Sequence, residues 1–413
     1  MRNWAGNYEY RARRVVRPRS MEELQETVRS ARTIRALGSR HSFNDIADSE
    51  GELLTLDMLP KVVDVDAASS TVRVEGAVRY GELCQQLEAE GFGLHNLASL
   101  PHISVAGGCA TATHGSGDRN GCLSTAVTAM SIVRGDGELV RLRRGDADFA
   151  AAAVSLGALG IVVDLTLQIE PSYRMRQNVF TDLPLADFED RFDEIASSAY
   201  SVSFFTQWRG PVIDQVWLKQ RVDADDEPLT NLFGARPAQR EVHPIRGLPP
   251  DACTPQRGVT GPWHERLPHF RINHTPSSGD ELQSEYIVPR ENAPAAFAAI
   301  DALGDRIAPL TQVSEVRTIA RDDLWLSPAF DRPSVGFHFT WQPDWPALRD
   351  LLPDVEAALA PFEPRPHWAK LFSVARDSVR ARYERSSDFV STASRFDPEG
   401  KFRNEFLQVH LFG

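Results

Sequence analysis

Glu315 and Arg317 stand two residues apart in Val313-Ser314-Glu315-Val316-Arg317-Thr318, so on a strand both side chains face the same side. A carboxylate can take a proton from a reacting group while a neighbouring cation steadies the negative charge left behind. Opposite charges at this spacing are also common as solvated surface pairs, and spacing alone favours that plainer reading. His338 and Thr340 repeat the arrangement in Gly336-Phe337-His338-Phe339-Thr340-Trp341, alternating with three aromatic residues as on a strand with one apolar and one polar face. A lone histidine in such a place is more often structural. Lys370 follows His367-Trp368-Ala369; a lysine in that setting is either a buried cation or one that snorkels to water. Ser99 and Gln283 add uncharged donors and acceptors.

Three glycine-containing segments offer a second kind of chemistry. Ala36-Leu37-Gly38-Ser39-Arg40-His41-Ser42-Phe43 runs from a strand into a turn of small residues, where successive backbone N–H groups can form a concave anion site suited to a pyrophosphate. Ser104-Val105-Ala106-Gly107-Gly108-Cys109-Ala110-Thr111-Ala112-Thr113-His114-Gly115-Ser116-Gly117 combines glycines that admit a ligand close to the backbone with hydroxyls that can bond it. Leu156-Gly157-Ala158-Leu159-Gly160-Ile161-Val162 leads into a strand. None is a GxGxxG fingerprint in the right place or a GK[S/T] phosphate loop, which argues against nicotinamide-dinucleotide and P-loop chemistry. Singly, each segment reads as a structural turn. Their order along one chain is far more specific.

The elements that must position these residues fall into two textures. From the start, a Ser20/Glu23 capping box heads a helix through about residue 31, and strands are expected at 34–37, 53–56, 62–65 and 72–78. A helix at 82–90 is closed by Gly91. Strands at 129–134 and 138–142 flank the hairpin signal Gly135-Asp136-Gly137, and a helix near 149–156 precedes a strand at 161–169. After Pro171 come strand-like runs at 201–208 and 215–219, then an acidic, proline-rich stretch from 223 to about 262. Such a stretch is either a functional loop or a solvated insertion. A helix near 295–303 follows Pro294, with strands at 310–318 and 334–341. At 413 residues the chain is long enough for two domains, and the pattern is α+β in both.

Composition bounds the function. A net charge of −12 gives no electrostatic reason to hold nucleic acid or an anionic membrane. No apolar run approaches the ~18 residues of a membrane span, and Met1–Gly6 lack a signal peptide's apolar stretch. The four cysteines, Cys84, Cys109, Cys122 and Cys253, form no CxxC pair and read as reduced. A cytoplasmic monomer without a metal site is therefore expected.

Taken in order, the three glycine segments resemble the FAD-binding domain of the vanillyl-alcohol oxidase / p-cresol methylhydroxylase flavoproteins. Within that superfamily the chain is most similar to the alditol oxidases. The resemblance runs through Asn3-Trp4-Ala5-Gly6-Asn7, the His41 turn, Ala98-Ser99-Leu100-Pro101-His102-Ile103-Ser104, Gly261-Pro262-Trp263-His264-Glu265-Arg266-Leu267-Pro268-His269-Phe270, Glu281-Leu282-Gln283-Ser284-Glu285-Tyr286 and Gly400-Lys401-Phe402. Arg40 departs from it, since a small residue is usual beside the flavin attachment site.

The resemblance implies a two-domain fold, with an FAD-binding domain at 1–170 completed by about 372–413 and a substrate-binding cap at 171–371. It implies FAD bonded covalently to His41, whose neutral imidazole could attack a flavin methide; without the resemblance His41 reads as a turn histidine bonded to backbone. Gly38, Ser39, Arg40, Ser42, Ser99, Ser104, Gly107, Thr111, Thr113, His114 and Ile161 become FAD neighbours, although His114 fits equally as a core histidine. Ser99, Gln283, Glu315, Arg317, His338, Thr340 and Lys370 are placed around the substrate. Arg317 and Lys370 would bind the reacting hydroxyl, Glu315 and His338 compete as proton acceptor, and Ser99, Gln283 and Thr340 would hold the other hydroxyls. The implied reaction oxidises the terminal carbon of a polyol such as xylitol or sorbitol by hydride transfer to flavin N5, with O2 reduced to H2O2. A sugar-lactone oxidase or dehydrogenase of the same superfamily is the alternative. A non-catalytic flavin carrier is disfavoured, because so dense a polar set is costly to build without a ligand.

Overall fold

The computed structural model describes residues 1–222, 229–272 and 281–413. It begins with β1 (Arg14–Val16), α1 (Met21–Ser30), β2 (Ile34–Ala36) and β3 (Glu52–Leu54), the three strands forming a small parallel sheet in the order β1-β3-β2. Ser20 caps α1 by accepting from the Glu23 N–H at 3.2 Å. The Glu23 carboxylate reaches one residue further back than a capping box requires, accepting from Arg19 N at 2.8 Å. Leu24 and Val28 of α1 bury against Ile34, Leu54 and Phe402.

Next come β4 (Val63–Asp66), β5 (Thr71–Glu75), α2 (Tyr80–Ala89), α3 (Val105–Ala110), β6 (Val127–Val133), β7 (Leu139–Arg143), α4 (Phe149–Ala153) and β8 (Ile161–Gln168). The five strands make an antiparallel sheet in the order β4-β5-β8-β6-β7. Leu83, Val105, Leu165, Phe389 and Leu407 share its core, so the end of the chain returns to this unit.

The second unit is one nine-stranded sheet. Its long members are β9 (Arg174–Pro184), β10 (Ser201–Thr206), β11 (Val212–Arg221), β12 (Leu282–Pro289), β13 (Thr311–Ile319) and β14 (Ser334–Trp341), in the order β9-β11-β10-β13-β14-β12 and antiparallel throughout. Helices α5 (Leu185–Ala196), α6 (Ala293–Asp301) and α7 (Trp345–Leu359) cover one face, where Phe188, Phe204, Phe297, Phe337, Phe339 and Leu352 are buried together. Strand alternation sends the intervening residues to the other face. Helix content, sheet content and two main cores make this an α+β, two-domain protein.

Several bounds differ from the sequence expectation. The strand expected at 72–78 stops at Glu75 and the helix expected at 149–156 at Ala153. The strand expected at 201–208 stops at Thr206 because Trp208 turns left-handed, with φ +58. Strands β9 and β12 and helices α5 and α7 were not foreseen. Of the acidic stretch, residues 223–228 lie outside the described residues. All four cysteines are free and buried. Among the described residues no helix is long and apolar enough to cross a membrane, and no cluster of potential metal ligands occurs.

Gly160, at the head of β8, has φ +144, and a Cβ there would run into the Val133 carbonyl oxygen of the neighbouring strand. Gly160→Ala should therefore lower stability by at least about 2 kcal/mol through strain and forced strand separation. A urea midpoint equal to the wild type's would contradict that account.

Candidate active site

A cavity of about 600 Å³ runs between the two units. One end is built by the His41 turn and α3. Gly38, Ser39, Arg40, His41 and Ser42 line it, with Ser104, Gly107, Thr111 and Thr113 opposite. Ser104 N donates to Ser39 Oγ at 3.2 Å, while Ser104 Oγ is buried with no hydrogen-bond partner among the described residues. A Cβ at Gly38 would lie 2.6 Å from that oxygen, and one at Gly107 would lie 2.7 Å from it. The two glycines thus keep open a cradle beside an unused hydroxyl, as close approach of a phosphate-bearing ligand requires. Thr111 Oγ1 donates to the Gly107 carbonyl at 3.0 Å and shares a hydrogen with Thr113 Oγ1 at 3.2 Å.

His41 stacks on Trp4 with ring centroids 4.9 Å apart, and its Nδ1 lies 3.1 Å from the Ser39 carbonyl. Burial pushes its pKa down to about 4, so the ring is neutral. Arg40 takes a left-handed φ of +63 and directs its guanidinium to the Arg2 carbonyl at 3.2 Å. Ile161 is the exception among the expected FAD neighbours: its side chain is buried with Leu24, Val28 and Val133, while Gly160 and Val162 on either side line the cavity.

The other end is the open face of the large sheet. Register sets Gln283 opposite Thr340, Glu285 opposite His338, His338 opposite Glu315, and Gly336 opposite Arg317. Cross-strand neighbours on one face lie within side-chain reach, and all seven expected substrate residues line this one cavity. Glu315 and Arg317 are only 4% and 5% exposed, which rules out a solvated surface pair.

Glu285 organises the group. Its Oε1 accepts from Arg317 Nη2 at 2.6 Å and lies 3.3 Å from His114 Nε2, and its Oε2 accepts from Lys370 Nζ at 2.7 Å. Arg317 Nη1 reaches Ser99 Oγ at 3.4 Å, and its Nε is 3.6 Å from Glu315 Oε2. His269 Nε2 lies 2.7 Å from Glu315 Oε1. Gln283 Nε2 donates to Glu281 Oε1 at 2.5 Å. The turn that carries Lys370 is bonded to β12 by His367 N on the Glu285 carbonyl (2.9 Å) and Leu371 N on the Gln283 carbonyl (2.9 Å). The same turn meets the His41 turn: Phe43 N donates to the Ala369 carbonyl, and Asn44 Nδ2 to the carbonyls of Trp368 and Lys370, each at 2.8 Å.

Burial opposes ionisation of Glu285, yet Lys370, Arg317 and His114 outweigh it and hold the carboxyl well below its ordinary range. Glu315 is held low in the same way by Arg317 and His269 against burial. For Arg317 the two carboxylates overcome burial and raise the pKa, whereas for Lys370 burial prevails and lowers it. His338 is driven well below its usual value, first by burial and then by Lys370. Its Nε2 is buried without a hydrogen-bond partner among the described residues. The sheet end therefore presents Arg317 and Lys370, the carboxyl groups of Glu281, Glu285 and Glu315, and the His338 imidazole with a free nitrogen.

Glu285, His269 and His367 line the cavity but received no role from sequence. For Glu285 a signal existed, because it continues the period-two series Glu281, Gln283, Glu285 on one strand face. No local pattern marks His269.

Residues 12–143 match the family model for an FAD binding domain, and residues 279–410 match that for D-arabinono-1,4-lactone oxidase. The fold is shared with a solved cholesterol oxidase from B. sterolicum, with a TM-score of 0.79 at 14% identity over 99% of this chain and 96% of that one. The FAD-binding match, the shared fold and the cradle describe a two-domain flavoprotein. An alditol oxidase from Streptomyces sp. strain IKD472 is 50% identical over 100% of this chain and 99% of its own length. An L-gulono-1,4-lactone dehydrogenase from Mycobacterium tuberculosis is 30% identical over 98% and 97%. The chain belongs to the alditol oxidases of the vanillyl-alcohol oxidase / p-cresol methylhydroxylase flavoprotein superfamily.

Glu285→Gln would leave two buried cations without their shared anion, an arrangement that typically costs about 3–5 kcal/mol. Because the folded carboxyl titrates below its unfolded value of roughly 4.3, the stability it supplies is complete above that value and is lost as pH falls through the folded one. Urea unfolding should show the full deficit of Glu285→Gln at neutral pH and a shrinking one in acid. A pH-independent difference would contradict the ionised assignment.

Proposed function

We propose that this enzyme oxidises the terminal hydroxyl of a xylitol- or sorbitol-type sugar alcohol to the aldose, with O2 as final acceptor and H2O2 as product. The observation that carries the reading is the buried Glu285–Arg317–Lys370 group beside the free imidazole of His338, in the same cavity as the glycine–hydroxyl cradle. The alditol oxidase relative supports a polyol. FAD is the cofactor, and the cradle fits it. His41 is the proposed covalent attachment point, with Gly38, Ser39, Ser42, Ser104, Gly107, Thr111 and Thr113 around the dinucleotide and His114 supporting Glu285. When bound, FAD supplies the hydride acceptor. In this proposal residues 1–170 with about 372–413 hold the cofactor and 171–371 form the cap.

An alcohol gives up hydride from carbon readily only as its hydroxyl proton departs. Arg317 and Lys370 bind that oxygen and meet the charge that builds on it, which a fixed guanidinium can do without changing its own protonation. Between the two candidate proton acceptors the geometry favours His338. Glu315 is already engaged by His269 and Arg317, whereas His338 Nε2 has no competing partner. Ser99, Gln283 and Thr340 hold the remaining hydroxyls. One hydride and one proton leave the alcohol, and the two electrons and two protons reduce one O2 to H2O2. A lactone substrate is the second reading, favoured by the match of residues 279–410.

The purified protein should stay yellow in the pellet after acid precipitation; flavin released wholly into the supernatant would overturn the bond to His41. In a substrate panel, polyols should release peroxide and aldonolactones should not, and the reverse result would install the lactone reading.

Removing one charge-assisted donor typically slows chemistry about a hundred- to a thousand-fold. Arg317→Ala is thus expected to keep FAD yet bleach with saturating xylitol at least about a hundredfold more slowly under anaerobic stopped flow. Bleaching at the wild-type rate would remove Arg317 from the mechanism.

A further inference from the structure

Lys219, on β11, is 1% exposed and is not among the residues that line the cavity. Its Nζ donates to the carbonyls of Leu267 at 2.6 Å and Pro268 at 2.9 Å, and lies 3.1 Å from His269 Nδ1. An ammonium has three N–H bonds and no lone pair, so these three acceptors use all it has. Nδ1 of His269 must then offer its lone pair, which places the single proton of the neutral ring on Nε2. That nitrogen faces Glu315 Oε1 at 2.7 Å. Burial, aided by Lys219, pushes the His269 pKa down to about 4, consistent with a neutral ring. Phe205 and Trp217 pack edge-on against the imidazole, with centroids 5.4 and 5.3 Å away, and hold its plane.

Among the described residues no carboxylate lies within ion-pair distance of Lys219. A buried cation without a contacting anion is expensive, and burial pulls its pKa down to about 7 although Glu315 acts to raise it. The compensating charge is Glu315, reached only across the imidazole. We propose that Lys219 is a positioning residue for the oxidation: through His269 it fixes an N–H donor on Glu315 and so holds that carboxylate in one orientation against Arg317. The proposal rests on the assignment of Glu315 and Arg317 to the polyol site.

Two measurements test it, one of them independent of turnover. In the ¹⁵N-histidine NMR spectrum of the holoenzyme, the signal lost in His269→Gln should report an Nε2–H tautomer. In Lys219→Met the Nε2–H tautomer, which the Glu315 carboxylate itself demands, should persist, but the ring should take up its second proton at higher pH than in the wild type because the neighbouring cation is gone. A wild-type Nδ1–H ring, or an unchanged His269 titration without the lysine, overturns the proposal.

The second measurement is anaerobic bleaching at saturating polyol, with bound FAD and melting temperature as controls for folding. Outer partners that orient metal-bound histidines typically contribute about 10–100-fold; by analogy Lys219→Met and His269→Leu should each slow bleaching by about that factor. Lys219→Met should cost nothing further in the His269→Leu background, because the route is already cut. His269→Gln, whose amide can donate to Glu315 and accept from Lys219, should stay close to the wild-type rate. Costs that multiply in the double variant, or a Gln variant as slow as the Leu variant, overturn it. If Lys219→Met does not fold, the wild-type tautomer and the Gln/Leu comparison still decide. Polyols that fail to bleach the wild type would refute the substrate assignment, while the tautomer would still support or overturn the role of Lys219.

Discussion

A carboxylate with no exposed surface, Glu285, receives an arginine, a lysine and a histidine at one point of the sheet. Each of those groups would be costly to bury alone, and two cations side by side would drive each other apart. The shared anion brings both to one place and favours their charged forms. Glu315 supplies a second negative charge beside Arg317, on the side of the group away from Lys370. The neighbouring imidazoles of His338 and His367 are kept neutral, chiefly by burial. A group of this kind can sit between an apolar sheet and a flat cofactor and still present strong donors toward a neutral, hydroxyl-rich substrate.

Placing that group depends on the antiparallel register. Because β12, β14 and β13 are adjacent, Glu285, His338 and Glu315 fall in one row across three strands, and Arg317 falls one step along. A one-residue slip would send every one of them into the aromatic layer behind. Lys370 arrives from a turn whose backbone is bonded both to β12 and to the Phe43–Asn44 segment beside His41. The same few hydrogen bonds therefore set the distance between the sheet end and the His41 end of the cavity.

The relatives show how little of this is decided by fold. A cholesterol oxidase shares the architecture at 14% identity, and an L-gulono-1,4-lactone dehydrogenase matches 98% of this chain at 30% identity. Chemistry on such a scaffold resides in the side chains that line the cavity. Here these are short polar groups and opposed charges on a rigid sheet.

Strand alternation made the pairs Glu315/Arg317 and His338/Thr340 legible from sequence, since period two is a local property of an extended chain. The order of the glycine segments, read as a family resemblance, pointed to FAD and to His41. Local spacing could not tell a surface pair from a buried one, and for Glu315 and Arg317 it leaned the wrong way until the resemblance was weighed. Burial depends on which residues pack above a strand, and those come from distant parts of the chain. Glu285 lies 32 residues before Arg317 and 85 before Lys370, and His269 lies 46 before Glu315. Such contacts leave no periodic trace in the sequence. Ionisation of the carboxylates, the free nitrogen of His338 and the chain from Lys219 to Glu315 were decided only by tertiary structure, because each depends on which charges and donors meet after the sheet has closed over them.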